Sequence, residues 1–259
     1  MPGKFVVQFD LGADLTMFYG NTLKPYLDKY QFLSSKVINE DEYQWLTNTT
    51  ISLNKILFKG KRIFIRKNYG DEMTADSVLT STTKFIGTIG ADFVQNKILI
   101  IDYKKNRLCI VDSLPKKISG NVKFIAYKSD SKGRVILPFE INDTTMNVMF
   151  DTGNSIFGFT STKENWARFC DTSHITKFEK LNSWGRTVDV WESPLKSRLT
   201  IEGTGIEINN PKLSFLNPTP DGMNEFFVQS KISGLTGNVF FLGKCIIIDF
   251  KNEKFGILK

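Results

Sequence analysis

The chain has 259 residues and a mass of 29.5 kDa, and at 41% hydrophobic content it can build one large or two smaller domains with real cores. Its net charge of +7 comes from lysines spread along the chain among acids, which reads as a solvated surface and not as a nucleic-acid site. No apolar stretch approaches the roughly 18–20 residues of a membrane span, MPGKFVVQFD has no long h-region, and a single histidine, His174, excludes His-cluster metal sites and counts against Ser-His or Cys-His catalysis.

Short runs of β-branched and aromatic residues, such as ILII at 98–101 and III at 246–248, predict an all-β protein with few short helices. In chain order, the first element is a strand that ends in the turn Asp10-Leu11-Gly12-Ala13, with Asp14 just beyond it. The aromatic alternation Tyr43, Trp45 follows, and then ILFKGKRIFI (56–65) reads as a hairpin turning at Gly60. The segment GTIG (87–90) opens a closing hairpin, GADFVQNKILIIDYKKNRLCIV (90–111). The second half runs from RVILPFEINDTTMNVMF (134–150) into Asp151-Thr152-Gly153-Asn154, the expected counterpart hairpin LTIEGTGIEI (199–208), and GLTGNVFFLGKCIIIDFKNEKFGIL (234–258). The cysteines, Cys109, Cys170 and Cys245, lack any CxxC or Cys/His spacing and read as mostly buried thiols.

The chain is written twice. Residues 90–111 lie over 237–258 without a gap, with identities at Gly90/Gly237, Phe93/Phe240, Lys97/Lys244, Ile100/Ile247, Ile101/Ile248, Asp102/Asp249, Lys104/Lys251 and Ile110/Ile257. GTIG (87–90) likewise lies over GLTG (234–237), and VQFDLGA (7–13) lies over VMFDTGN (148–154), placing Phe18 over Phe159. Two anchors in the same order mean a duplicated unit, with expected boundaries of 1–114 and 115–259. The partner of the carboxylate Asp151 is then Asp10. An isolated D-x-G is a common turn and an isolated GxxG a common bulge; their joint duplication is what asks for a function.

A strand, a D-x-G turn, a variable middle, an apolar-apolar-Gly segment and a closing hairpin, present twice, resemble the lobes of a pepsin-like aspartic protease. Residues 134–153 also resemble the leading hairpin of bacterial retropepsin-like domains. The resemblance implies a bilobal acid-protease fold and an endopeptidase whose dyad, Asp10 and Asp151, shares a proton and activates a water. It implies Gly12, Ala13, Thr152, Gly153 and Asn154 as turn support, with Gly90 and Gly237 as structural glycines beneath the site. It places a flap near residues 43–48, where Tyr43 or Trp45 would cover a peptide or protein substrate, although both also read as plain core aromatics. No metal or cofactor is required, and a monomer is expected. Only nine residues precede Asp10, too few for the hairpin strand that leads to Asp151. The expectation is therefore a sequence that starts downstream of natural residues, among them a signal or lipid anchor, and an extracytoplasmic location.

Two departures from the pattern qualify the reading. Leu11 stands where the family has Thr or Ser, so one hydroxyl of a reciprocal bond is missing, and Asp14 adds a third carboxylate. A catalytically weak or inactive module that binds peptides or a partner protein is the alternative. A carbohydrate- or nucleic-acid-binding β protein explains neither D-x-G copy.

Overall fold

A computed structural model describes residues 5–53, 56–80, 82–154, 156–183 and 186–258. Strands dominate it, and the helices are few and short. Two units result, Met1–Phe93 and Val94–Lys259.

The first unit is a six-stranded sheet in the order β1-β6-β2-β5-β4-β3, formed by β1 (Phe5–Phe9), β2 (Met17–Tyr19), β3 (Val37–Glu40), β4 (Tyr43–Leu53), β5 (Ile56–Arg66) and β6 (Lys84–Ile89). Helices α1 (Gly20–Lys29) and α2 (Gln31–Ser34) follow β2. Strand alternation turns Leu46, Ile63 and Ile65 inward, where they meet Phe18, Ile86 and the α1 side chains Leu23 and Tyr26. Each such buried apolar side chain contributes about 1.5–3 kcal/mol over leaving it exposed.

Residues 56–65 are one strand and not a hairpin. β4 and β5 pair along their length, and the register slips between Leu46 and Thr49 and again between Thr49 and Ile51. The extra residues on β5 at the second slip include Gly60, whose φ of 65° only a glycine adopts without cost. The glycine that looked like a turn is a bulge that compensates the one at Asn48 on the partner strand.

The second unit carries two sheets. One has five strands in the order β8-β7-β20-β21-β9, built from β7 (Ile98–Asp102), β8 (Arg107–Val111), β9 (Val122–Ala126), β20 (Cys245–Asp249) and β21 (Lys254–Leu258). The other includes β10 (Lys128–Ser129), β11 (Val135–Ile141), β12 (Thr144–Phe150), β13 (Phe159–Ser161), β14 (Thr176–Ser183), β15 (Arg186–Pro194), β16 (Leu199–Ile201), β17 (Ile206–Ile208), β18 (Lys212–Asn217) and β19 (Gly234–Thr236). Helices α3 (Lys116–Ser119), α4 (Lys163–Phe169) and α5 (Met223–Gln229) complete the unit.

The two compact units divide at 93/94, within the first sequence copy, and the pairing shows why. The hairpin β7–β8 closes the first sequence copy, yet β7 pairs with β20 of the second, with Ile100 across Ile247 and Ile101 across Ile246. The near-identical apolar runs of the two copies thus pair with each other. The segment 199–208 is a hairpin, β16–β17, turning through Gly203 and Gly205, both at positive φ.

Strand order shows the duplication directly. β1-β6-β2-β5-β4-β3 in the first unit is matched by β12-β19-β13-β18-β15-β14 in the second, with a helix after β2 and after β13. β1 pairs parallel with β6, as β12 does with β19. The expected match of Phe18 with Phe159 does not survive. Phe18 sits across Gly87, whereas Phe159 sits across Thr236, so two more residues intervene after the second turn than after the first. The helices that follow start at Gly20 and Lys163 and keep that same extra length relative to Asp10 and Asp151.

Candidate functional site

Both D-x-G turns are built by one backbone rule. Asp10 follows β1, and its N–H donates to the carbonyl of Ile89 on β6 at 2.9 Å. Asp151 follows β12, and its N–H donates to the carbonyl of Thr236 on β19, also at 2.9 Å. The chain then folds back: Ala13 N–H donates to Asp10 O at 3.2 Å and Asn154 N–H to Asp151 O at 3.1 Å. Inside each turn the Oδ1 atom accepts two amides. For Asp10 these come from Gly12 at 2.9 Å and Ala13 at 3.2 Å. For Asp151 they come from Gly153 at 2.7 Å and Asn154 at 3.2 Å. Backbone N–H donors to a carboxylate fix its direction. Asp10 is buried and Asp151 half-buried.

Gly90 and Gly237 lie against these turns. A Cβ on Gly237 would stand 1.5 Å from the Asn154 carbonyl oxygen, and one on Gly90 would meet Leu15 and Ala13 main-chain atoms at 2.7–2.9 Å. Only a residue without a side chain allows such close backbone approach. Leu11 is fully buried, and Thr152 is buried as well.

Support beneath the two turns differs. In the first unit Asp92 Oδ1 accepts from both the N–H and the hydroxyl of Thr16, each at 2.7 Å, and the Thr16 hydroxyl accepts from Gly90 N–H at 3.1 Å. Burial raises the Asp92 pKa above the usual carboxylate value, against the pull of the Thr16 bonds and of Lys61. In the second unit Asn238 Nδ2 donates to the Thr152 carbonyl at 2.9 Å, and Tyr103 Oη donates to Asn238 Oδ1 at 2.5 Å. Asn154 Nδ2 donates to Thr160 Oγ1 at 3.2 Å, and Thr160 Oγ1 shares a hydrogen bond with Ser214 Oγ at 3.0 Å. None of Thr16, Asp92, Tyr103, Asn238, Thr160 or Ser214 stood out in the sequence. Asp92 and Asn238 follow the two repeated glycines, and that position was the available clue.

No family model matches this sequence, and no curated protein matches it. Among solved structures, a retropepsin-like aspartic protease from Rickettsia conorii is similar over 52% of this chain and 90% of its own, at 19% identity and a TM-score of 0.37.

Tyr43 and Trp45 are not core aromatics. They sit on the face of β4 away from Leu46; Tyr43 is exposed and Trp45 half-buried. Both flank Phe64, at ring-centroid distances of 5.9 and 5.5 Å, and the Arg62 guanidinium lies 4.1 Å from the Trp45 centroid while pairing with Glu40. This is a cation-π and aromatic cluster on the β4–β5 hairpin. Asp14 is half-buried.

His174 lies in an exposed turn where its Nδ1 faces both Asp171 Oδ2 at 2.8 Å and Ser173 Oγ at 3.0 Å. A Ser-His-Asp relay needs the acid on one ring nitrogen and the serine on the other, so this trio is a turn motif. The Ser173 and His174 bonds hold Asp171 down at about 2. The cysteines are less uniform than expected: Cys109 is exposed, Cys245 half-buried and Cys170 buried, with its thiol pushed up to about 12 by burial. No group of metal-ligating side chains occurs among the described residues. No helix there is long and apolar enough to cross a membrane.

Proposed function

We propose that the protein is an aspartic endopeptidase in which Asp10 and Asp151 form a dyad. The observation that carries this reading is the identical construction of the two turns, each tying its aspartate Oδ1 to the glycine amide two residues on. Each of these turns also stands at the end of a strand that pairs parallel with the strand leading to Gly90 or Gly237, where the main chains approach closely. In the reaction, one member is ionised and takes a proton from water as the oxygen attacks a peptide carbonyl, while the other donates its proton to the carbonyl oxygen. Two neighbouring carboxylates titrate as a unit, so activity follows the pair's apparent pKa values. The substrate is a peptide or protein segment in extended form, bound through main-chain hydrogen bonds.

The test is cleavage of a diverse peptide library from about pH 3 to 7, with Asp10→Asn and Asp151→Asn beside the unaltered chain. Loss of cleavage in either variant supports the dyad, and cleavage that survives either substitution overturns it. A second reading, a protease-like module that binds peptides without cleaving them, is favoured by Leu11, which buries an apolar side chain where the second turn has a hydroxyl. That reading stands if no cleavage occurs at any pH while both variants still bind peptide.

A further inference from the structure

We infer that Tyr103 and Asn238 are positioning residues that act on the Asp151 carboxylate through a single peptide group; the inference rests on reading Asp151 as a catalytic aspartate. Tyr103 follows β7, where its N–H is anchored on the Lys244 carbonyl at 3.0 Å. Its hydroxyl donates to Asn238 Oδ1 at 2.5 Å, and Asn238 Nδ2 donates to the Thr152 carbonyl at 2.9 Å. These two bonds fix the amide orientation, because the oxygen must face the hydroxyl and the NH₂ must face the carbonyl. The Thr152 carbonyl belongs to the same peptide unit as the Gly153 N–H, which donates to Asp151 Oδ1 at 2.7 Å. A hydrogen bond accepted by a peptide oxygen polarises that unit and strengthens its N–H as a donor. The chain from hydroxyl to amide to peptide thus ends on the carboxylate and favours its ionised form.

The first turn cannot repeat this device with the matching residues. In the sequence repeat Asn238 corresponds to Ala91 and Tyr103 to Phe250, so both corresponding positions carry apolar side chains. The relay is built from residues of the second unit alone and acts on Asp151.

Tyr103→Phe removes only the hydroxyl, and Asn238→Ala removes the donor to Thr152. Each is expected to lower kcat/KM about fivefold, the size of one hydrogen bond, through kcat with KM unchanged, and to move the acidic limb of the pH profile upward. Because the two residues act in series, the double variant should be no worse than Asn238→Ala alone. A second readout does not need turnover: the Gly153 amide proton in NMR spectra should shift upfield in both variants. If the unaltered chain cleaves nothing but this shift occurs, the endopeptidase reading fails and the relay stands. If both variants fold and leave the Gly153 resonance and the acidic limb in place, or if their effects add in full, the relay is wrong.

Discussion

The turn at Asp10 and the turn at Asp151 share the hydrogen bonds their aspartates make with the main chain, yet one rests on a half-buried carboxylate and the other on neutral amides and hydroxyls. Under the first turn, Asp92 gathers the N–H and hydroxyl of Thr16, and the same hydroxyl holds Gly90. Under the second, Asn238 and Tyr103 hold Thr152, and a Thr160–Ser214 pair holds Asn154. Duplication preserved what the main chain must do, and the side chains that satisfy the surrounding polar groups diverged. Unpaired groups at such a depth would cost about 1–3 kcal/mol each, so some support is obligatory while its chemistry is not.

The comparison breaks most severely at the aspartates. Asp10→Asn and Asp151→Asn each keep an oxygen for the turn amides, so thermal melting should show a folded protein, while peptide cleavage falls by on the order of 10²–10⁴-fold. Gly237→Ala is next: its Cβ would overlap the Asn154 oxygen, and urea denaturation should show a loss of about 3 kcal/mol, the upper end for overpacking. Gly90→Ala meets its neighbours at 2.7 Å and beyond and should lose less, about 1–2 kcal/mol. Leu11→Thr gives the first turn the residue of the second at the expense of a buried apolar side chain; a loss of about 2 kcal/mol in the same measurement is expected. Any gain in cleavage by that variant would show that the leucine, and not the rest of the first turn, limits activity.

The smallest effect concerns pH. The folded-state pKa of Asp92 is raised, so between its unfolded and folded values the native state binds the extra proton. Stability attributable to this group therefore falls as pH rises through that window. Asp92→Asn keeps an acceptor for Thr16 without the charge and should flatten this slope in urea midpoints measured from about pH 4 to 7. Asp92→Ala should lose about 1–2 kcal/mol at every pH, because Thr16 is left without its acceptor.

The strand-rich class, the duplication and both aspartates were legible because each depends on local chemistry: alternation, a glycine where backbones crowd, a repeated order of residues. The supports were not legible, since Thr16 with Asp92 and Tyr103 with Asn238 join positions 76 and 135 residues apart, and no local pattern marks either member. Gly60 misled for a related reason, as a glycine at positive φ serves a bulge and a turn equally well. The extra residues after Asp151 were hidden because Phe159 gave a fortuitous identity with Phe18, and only strand pairing reveals that they occupy different levels.

The pairing of β7 with β20 also bears on how the chain comes together during synthesis. Ile100 and Ile247 face each other across that ladder, so the hairpin 98–111 waits for most of the remaining sequence to leave the ribosome before its neighbour exists. Contacts of such sequence separation form late and slowly, and until then an apolar β edge is open to other nascent chains. Removing residues 245–258 would make that waiting state permanent, with aggregation as its expected outcome even though the first unit lies entirely upstream.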